Sequence, residues 1–265
     1  MARRSLKQTS NYEKAIFATE ITEHTEKTAV LTLWLGILEM NYFITGTDTG
    51  VGKTLVSCAL LHGFAAQGMS VAGMKPVAAG CDERGQHGDV RQLRAASNIL
   101  ASGGQINPYC LAQPVAPLLA ARFAGVRINF ARIMESFSEL NAQADVVIVE
   151  GVGGFRVPLN DEQDSADLAV QLGLPLVLVV GMRLGCLNHA LLTVEAIAAR
   201  GLALAGWVAN VTDAGMAMPD ENIAALRQRI SAPLLGIVPH LEQPDACAAA
   251  SFLNLASLEQ ADLHD

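Results

Sequence analysis

Apolar positions in this chain fall into short dense runs, separated by longer stretches in which they recur every three or four residues. From residue 41 onward the alternation is regular. Runs at 42–45, 70–74, 145–150, 175–180, 204–210 and 234–238 read as strands. The run at 145–150 is nearly continuous in β-branched residues, as expected of a strand buried on both faces. Helical spacing occupies 52–67, 89–100, 115–123, 130–143, 165–172, 187–200 and 221–230, and Gly201 ends one of these helices. Strands alternating with helices predict an α/β fold: one doubly wound, mostly parallel sheet with helices on both faces. Neither a repeat nor a low-complexity linker divides the pattern, so residues 41–265 are expected to form one domain.

The first 40 residues follow another pattern. Residues 1–27 are polar and mixed in charge, and 29–38 could form a short apolar helix. Glu13, Glu20, Glu23 and Glu26 separate the basic start from that apolar run, which argues against a signal peptide. Met40 directly precedes the first strand and is a candidate start of translation. Residues 1–40 are therefore expected to be a disordered or non-native extension.

Composition narrows the class. Of 265 residues, 51% are hydrophobic and 17% charged, which suits a globular protein with a sizeable core. A net charge of −8 repels nucleic acid and anionic lipid, so neither is expected as a partner. No apolar run reaches the roughly 18–20 residues that a membrane-spanning helix needs. The five cysteines (Cys58, Cys81, Cys110, Cys186 and Cys247) are odd in number, scattered and without metal-ligand spacing. The expectation is no disulfide framework, no zinc site and a reducing, cytoplasmic compartment.

The chemistry begins at 42–54, which reads YFITGTDTGVGKT. A strand enters a glycine-rich loop that ends in Gly-Lys-Thr and opens a helix. Such a loop points backbone N–H groups at phosphate oxygens, and the helix N-terminus adds its dipole. Lys53 is placed to reach the terminal phosphates and the Thr54 hydroxyl to ligate Mg²⁺. The first glycine is Gly46, one position earlier than the usual spacing demands, so the loop belongs to a variant subclass.

Acidic and basic residues at strand ends complete the picture, because ligands of parallel sheets sit beyond the carboxyl ends of the strands. Glu150 ends the strand at 145–150 and precedes Gly151-Val152-Gly153-Gly154. It is a candidate Mg²⁺ ligand, against the alternative of a solvated strand-end charge. Asp89 is a second candidate, although Asp at a helix start is also a common cap. Asp161, Asp164 and Asp167 are explained by a solvated loop and helix start. Lys75 ends the strand at 70–74, at the same sheet edge as the loop, and could stabilise charge building on a reacting group.

Together these segments resemble dethiobiotin synthetases. The resemblance lies in GTDTGVGKT (46–54), KPVAAG (75–80), NPY (107–109), VEGVGG (149–154), VVGMRLGCLNHALLT (179–193), GWVAN (206–210) and LLGIVPHL (234–241). It implies a P-loop NTPase-like homodimer that carboxylates 7,8-diaminopelargonate with CO₂ and closes a cyclic urea, with ATP cleaved to ADP and phosphate. The resemblance implies catalytic roles for Lys53, Lys75 and Thr49, with Thr49 and Lys75 also touching substrate. Mg²⁺ would be held by Thr54, Asp89 and Glu150. The nucleotide would lie along Gly50, Val51, Gly52, Lys53, Thr54 and Leu55, and against Glu150, Gly151, Val152 and Gly153. Asn210 and Val211 would meet the adenine, with Pro239, His240 and Leu241 walling it. Leu184, Gly185, Cys186 and Asn188 would hold the substrate carboxylate of the neighbouring subunit at a helix start.

The resemblance has departures. Gly50 stands where relatives often carry an acidic residue. Ala79 replaces the serine of KPVASG and loses one hydroxyl hydrogen bond, on the order of 1 kcal/mol. Val211 follows Asn210 where Asp is common, and His240 stands where an aromatic may stack. Cys186 and His189, three apart at a helix start, could face each other. The resemblance gives that pair no role, and Cys186 is expected to pack along the substrate tail. A regulatory nucleotide switch of the same fold class is the alternative function. Such proteins carry an extra lysine early in the loop, and residues 46–49 contain none. An amidotransferase-linked synthetase would need a further domain, and a non-catalytic remnant would not keep Lys53, Thr54, Lys75, Asp89 and Glu150.

Overall fold

The computed structural model describes residues 40–261. Its elements run β1 (Tyr42–Gly46), α1 (Lys53–Ala66), β2 (Val71–Met74), β3 (Val77–Ala79) and α2 (Gly88–Ala96). Next come α3 (Gly103–Ile106), β4 (Tyr109–Leu111), α4 (Pro117–Phe123), α5 (Phe130–Asn141) and β5 (Val146–Glu150). The chain continues through α6 (Ser165–Leu172), β6 (Leu176–Met182), α7 (Cys186–Ala199), β7 (Leu204–Val211) and α8 (Pro219–Arg227). It closes with β8 (Leu234–Val238), α9 (Ala246–Ala250) and α10 (Ala256–Ala261).

Six strands form one sheet in the order β2-β5-β1-β6-β7-β8, every pair parallel. Alternation within each strand explains the two covered faces. Tyr42 and Ile44 of β1, with Val146 and Ile148 of β5, pack on Leu60, Leu61 and Phe64 of α1. Phe43, Val147 and Val149 point the other way, into a layer holding Ile133, Leu140 and Leu168. The doubly wound parallel sheet expected from the alternation is the sheet observed.

Most helix boundaries lie within two residues of those expected, and the larger differences have local causes. The helix expected at 89–100 stops at Ala96, where the Ser97 hydroxyl donates to the Leu93 carbonyl and its oxygen accepts from the Gly73 amide. Pro117 sets the start of the helix expected from 115. Two short strands were not foreseen. β3 and β4 pair in parallel as a separate two-stranded sheet, with Ala78 opposite Cys110. Three residues carry too little period-2 signal to be read as a strand.

The cysteines require a correction. Cys81 and Cys110 are joined in a disulfide, 29 positions apart in sequence, while Cys58, Cys186 and Cys247 are free. Spacing arithmetic finds short ligand motifs, whereas this pair is brought together by the β3–β4 ladder. The apolar segment expected at 29–38, and the rest of the extension up to residue 39, lie outside the described residues. Among the described residues no helix is long and apolar enough to cross a membrane.

Candidate active site

The carboxyl ends of β1, β2 and β5 open into a cleft of about 810 Å³. β1 sits between β5 and β6, at the point where the chain's winding reverses. The phosphate loop leaves β1 after Gly46 and enters α1 at Lys53. Gly52 caps α1 with φ 90° and no side-chain bond. Its backbone is left-handed, and a Cβ there would meet the Asn210 amide nitrogen at 2.1 Å. Only glycine satisfies both constraints. The early first glycine also has a packing reason, since a Cβ on Gly46 would meet the Val51 side chain at 2.7 Å.

Lys53 is 7% exposed, and its ammonium donates to the Asp48 carbonyl at 2.9 Å and to the Gly153 carbonyl. Burial, with the nearby Lys75 charge second, lowers its pKa to about 8. Lys75 is 3% exposed and in contact with two carboxylates. Its ammonium lies 2.6 Å from Glu150 and 3.2 Å from Asp89, and it donates to the Gly151 carbonyl at 3.0 Å. Burial pulls its pKa down, but Glu150 and Asp89 outweigh that and raise it. Burial likewise pushes the Asp89 carboxyl up, but Lys75, followed by His87 and a hydrogen bond with Thr54, brings it below its usual range.

Asp89 does not cap α2. His87 is the cap, its Nδ1 accepting from the Asp89 amide at 3.2 Å. The Asp89 carboxylate is thereby left to turn toward Lys75. The acidic trio at 161–167 is structural: Asp164 and Asp167 form the capping box of α6, and Asp161 pairs with Arg122 on the surface.

Thr54, Asp89 and Glu150 offer an all-oxygen donor set. The Thr54 hydroxyl donates to Glu150 Oε1 at 2.9 Å, while the buried Glu150 Oε2 has no hydrogen-bond partner. A buried carboxylate oxygen without a partner needs an ion or water, and hard oxygen donors fit Mg²⁺.

The family model described as an AAA domain matches residues 40–247. The ATP-dependent dethiobiotin synthetase of Aromatoleum aromaticum is 59% identical over 217 residues, covering 81% of this chain and 96% of that one. Its counterpart in Nitrosospira multiformis is 57% identical over 217 residues, covering 82% and 96%. That of Ralstonia nicotianae is 56% identical over 220 residues, again covering 82% and 96%. The chain belongs to the dethiobiotin synthetase family.

Within this family member, the cleft gathers Thr49, Gly50, Gly52, Lys53 and Thr54 from the loop and Lys75, Ala79 and Asp89 from the β2–α2 region. Glu150, Val152 and Gly153 join them from the end of β5. Val51, Leu55 and Gly151 border the cleft without lining it. Asn210 lies behind the loop, 5% exposed, and its amide nitrogen donates to the Val51 carbonyl at 2.8 Å. Val211 ends β7 and Pro239, His240 and Leu241 follow β8, all outside the cleft. Leu184 and Asn188 face solvent at the start of α7, with Leu184 98% exposed and Cys186 buried beneath. Gly185 caps that helix with φ 93° and no side-chain bond.

Three features escaped the sequence reading. His87 lines the cleft, and its signal was its place two residues before Asp89. The segment from Pro114 to Pro117 forms a wall, signalled only by two prolines around a helix start. Arg183 pairs with Asp48, whose carbonyl holds Lys53. No spacing rule joins residues 135 apart.

Proposed function

We propose that this chain is a Mg-ATP-dependent ligase that joins CO₂ to 7,8-diaminopelargonate and closes the cyclic urea of dethiobiotin, releasing ADP and phosphate. The observation that carries the reading is one cleft lined by Lys53, Thr54, Lys75, Asp89 and Glu150, in a chain closely similar to proteins of that activity.

The chemistry needs such a cleft. One amine adds to CO₂ and loses a proton, giving a carbamate. A carbamate is a poor electrophile because its oxygens do not leave at neutral pH. Its oxygen attacks the γ-phosphorus of ATP, and ADP departs. The second amine then attacks the carbamoyl carbon, phosphate leaves with the bonding pair, and the ring closes. Phosphoryl transfer asks mainly for positioning and charge neutralisation. In this reading the backbone from Gly50 to Leu55 cradles the phosphates, and Lys53 bridges phosphate and carbamate. Lys75 polarises the carbamate, while Thr49 and Ala79 border the diamine. Mg²⁺ held by Thr54, Asp89 and Glu150 would neutralise charge on the phosphates.

The remaining assignments belong to the same proposal. Asn210, Val211, Pro239, His240 and Leu241 form the adenine side. Leu184, Gly185, Cys186 and Asn188 receive the substrate carboxylate from a second copy, which makes the working enzyme a homodimer. The exposed, side-chain-free cap of α7 supports an anion there. The ligase unit is residues 41–265, and the enzyme works in the cytoplasm.

Mass spectrometry of a reaction containing diaminopelargonate, bicarbonate and Mg-ATP tests the proposal. The cyclic urea, formed only when all three are present, is the expected product. ATP hydrolysis that proceeds equally without the diamine, with no cyclic product, would replace the ligase by a nucleotide switch.

A further inference from the structure

Cys81 and Cys110 take no part in the chemistry above, and neither lines the cleft, yet their bond joins two segments that carry part of its wall. Their Cα atoms are 5.9 Å apart, within the span a disulfide bridges. Cys81 follows β3 by two residues, and Cys110 is the middle residue of β4. The amides of Gly80 and Cys81 both donate to the Leu111 carbonyl. The bond therefore fastens the end of β3 to β4.

Three parts of the cleft boundary depend on that junction. Ala78 and Ala79 of β3 line the cleft directly. Pro114, just beyond β4, lines it as well and lies against Gly80, where a Cβ would meet the proline Cβ at 3.2 Å. Downstream of Cys81, residues 82–87 lead to the His87 cap that positions Asp89. In a cytoplasmic enzyme a disulfide is transient or regulatory, because the compartment keeps thiols reduced.

We propose that Cys81 and Cys110 are a thiol–disulfide switch that braces, from behind, the wall on the diamine side of the cleft, set by exchange with a small disulfide of the glutathione class. The proposal rests on the cytoplasmic ligase reading. Cys110 is partly exposed and Cys81 is buried, so Cys110 reacts first. Its thiolate attacks the small disulfide, forming a mixed disulfide and expelling one small thiolate. Cys81 thiolate then attacks the Cys110 sulfur and expels the second. The protein loses two electrons and two protons, and two small thiols carry them away. The oxidised form is the one with the wall fixed.

The full-length protein equilibrated with excess reduced or excess oxidised glutathione, then alkylated and mapped by mass spectrometry, reports the state of the pair. Kinetics on the same samples read its effect. The KM for diaminopelargonate should rise roughly threefold or more on reduction, with a smaller change in kcat, because positioning of bound substrate is what the wall supplies. Cys81→Ser and Cys110→Ser should show the reduced-form KM under both conditions, and Cys247→Ser should keep the switch. A wild-type KM that is equal in both states, with mapping showing that the pair has switched, overturns the proposal. So does a pair that stays reduced in excess oxidised glutathione. If neither form makes dethiobiotin, the ligase reading has failed separately. The affinity for a non-hydrolysable ATP analogue then decides the switch: a difference between the two states supports it, and equality overturns it.

Discussion

Two lysines share one cleft and have opposite surroundings. Around Lys53 the partners are backbone carbonyls, those of Asp48 and Gly153. Around Lys75 they are two carboxylates, one fully buried. Both ammonium groups are out of water, but only the second has its charge matched. Carbonyl dipoles do not offset the desolvation of a cation, so Lys53 is lowered to about 8 while Lys75 is raised. A poorly matched cation at a helix N-terminus is prepared for an incoming anion. A fully matched one is held in place to act on something beside it. In the proposed reaction the difference divides the labour: Lys53 would serve the phosphate, and Lys75 the group that receives it.

The largest expected effect follows from unbalancing the Lys75 side. Glu150→Gln removes the carboxylate nearest Lys75 and would take one charged ligand from the proposed Mg²⁺ set. Turnover should fall by roughly a thousandfold, and stability by about 3 kcal/mol, since a buried ammonium loses most of its counter-charge. Steady-state kinetics and urea unfolding measure the two. Stability within experimental error of wild type would mean that the ion pair does not hold Lys75.

A smaller effect comes from the Lys53 side and depends on pH. With a pKa of about 8, Lys53 is charged at neutral pH and mostly neutral at pH 8.5. A bound triphosphate raises that pKa again. ATP binding at pH 8.5 should therefore take up about three quarters of a proton, and affinity should weaken about fourfold relative to pH 7. Titration calorimetry in two buffers of different ionisation enthalpy detects the uptake. Lys53→Arg should abolish it, because guanidinium stays charged. Uptake that persists in that variant would assign the proton elsewhere.

The smallest effect is at the rim. Arg183 and Asp48 form an ion pair with both side chains over two-fifths exposed, where such pairs contribute less than about 1 kcal/mol. Arg183→Gln should raise the KM for ATP by about threefold at most, with kcat unchanged. A large fall in kcat would show that the pair acts on the chemistry and does more than steady the loop.

What was legible in the chain tracks the same division. The strands that carry the centre are buried on both faces, and their dense apolar runs gave away β1, β5 and β6. Gly-Lys-Thr after a strand marks Lys53 and Thr54 because the phosphate cradle demands that order. Lys75 and Glu150 were found because each directly follows or ends a strand at the ligand edge. The rest is built by long-range pairing that leaves no periodic trace. β3 and β4 are three residues each, and the Cys81–Cys110 bond exists only once they pair. Asp89 was picked out for its type and place, and the capping role weighed as its alternative belongs to His87. Asn210 reaching the Val51 carbonyl joins residues 159 apart, a contact that only the β1-β6-β7 order creates.

The most direct measurement compares Lys53→Met with Lys75→Met, reading ATP affinity and dethiobiotin formation in each. The expected result is a crossed pattern. Lys53→Met should bind ATP weakly, whereas Lys75→Met should bind ATP within a fewfold of wild type and form almost no dethiobiotin. Near-normal product formation by Lys75→Met, or equal loss of ATP affinity in both variants, would contradict the division of the cleft between the two lysines.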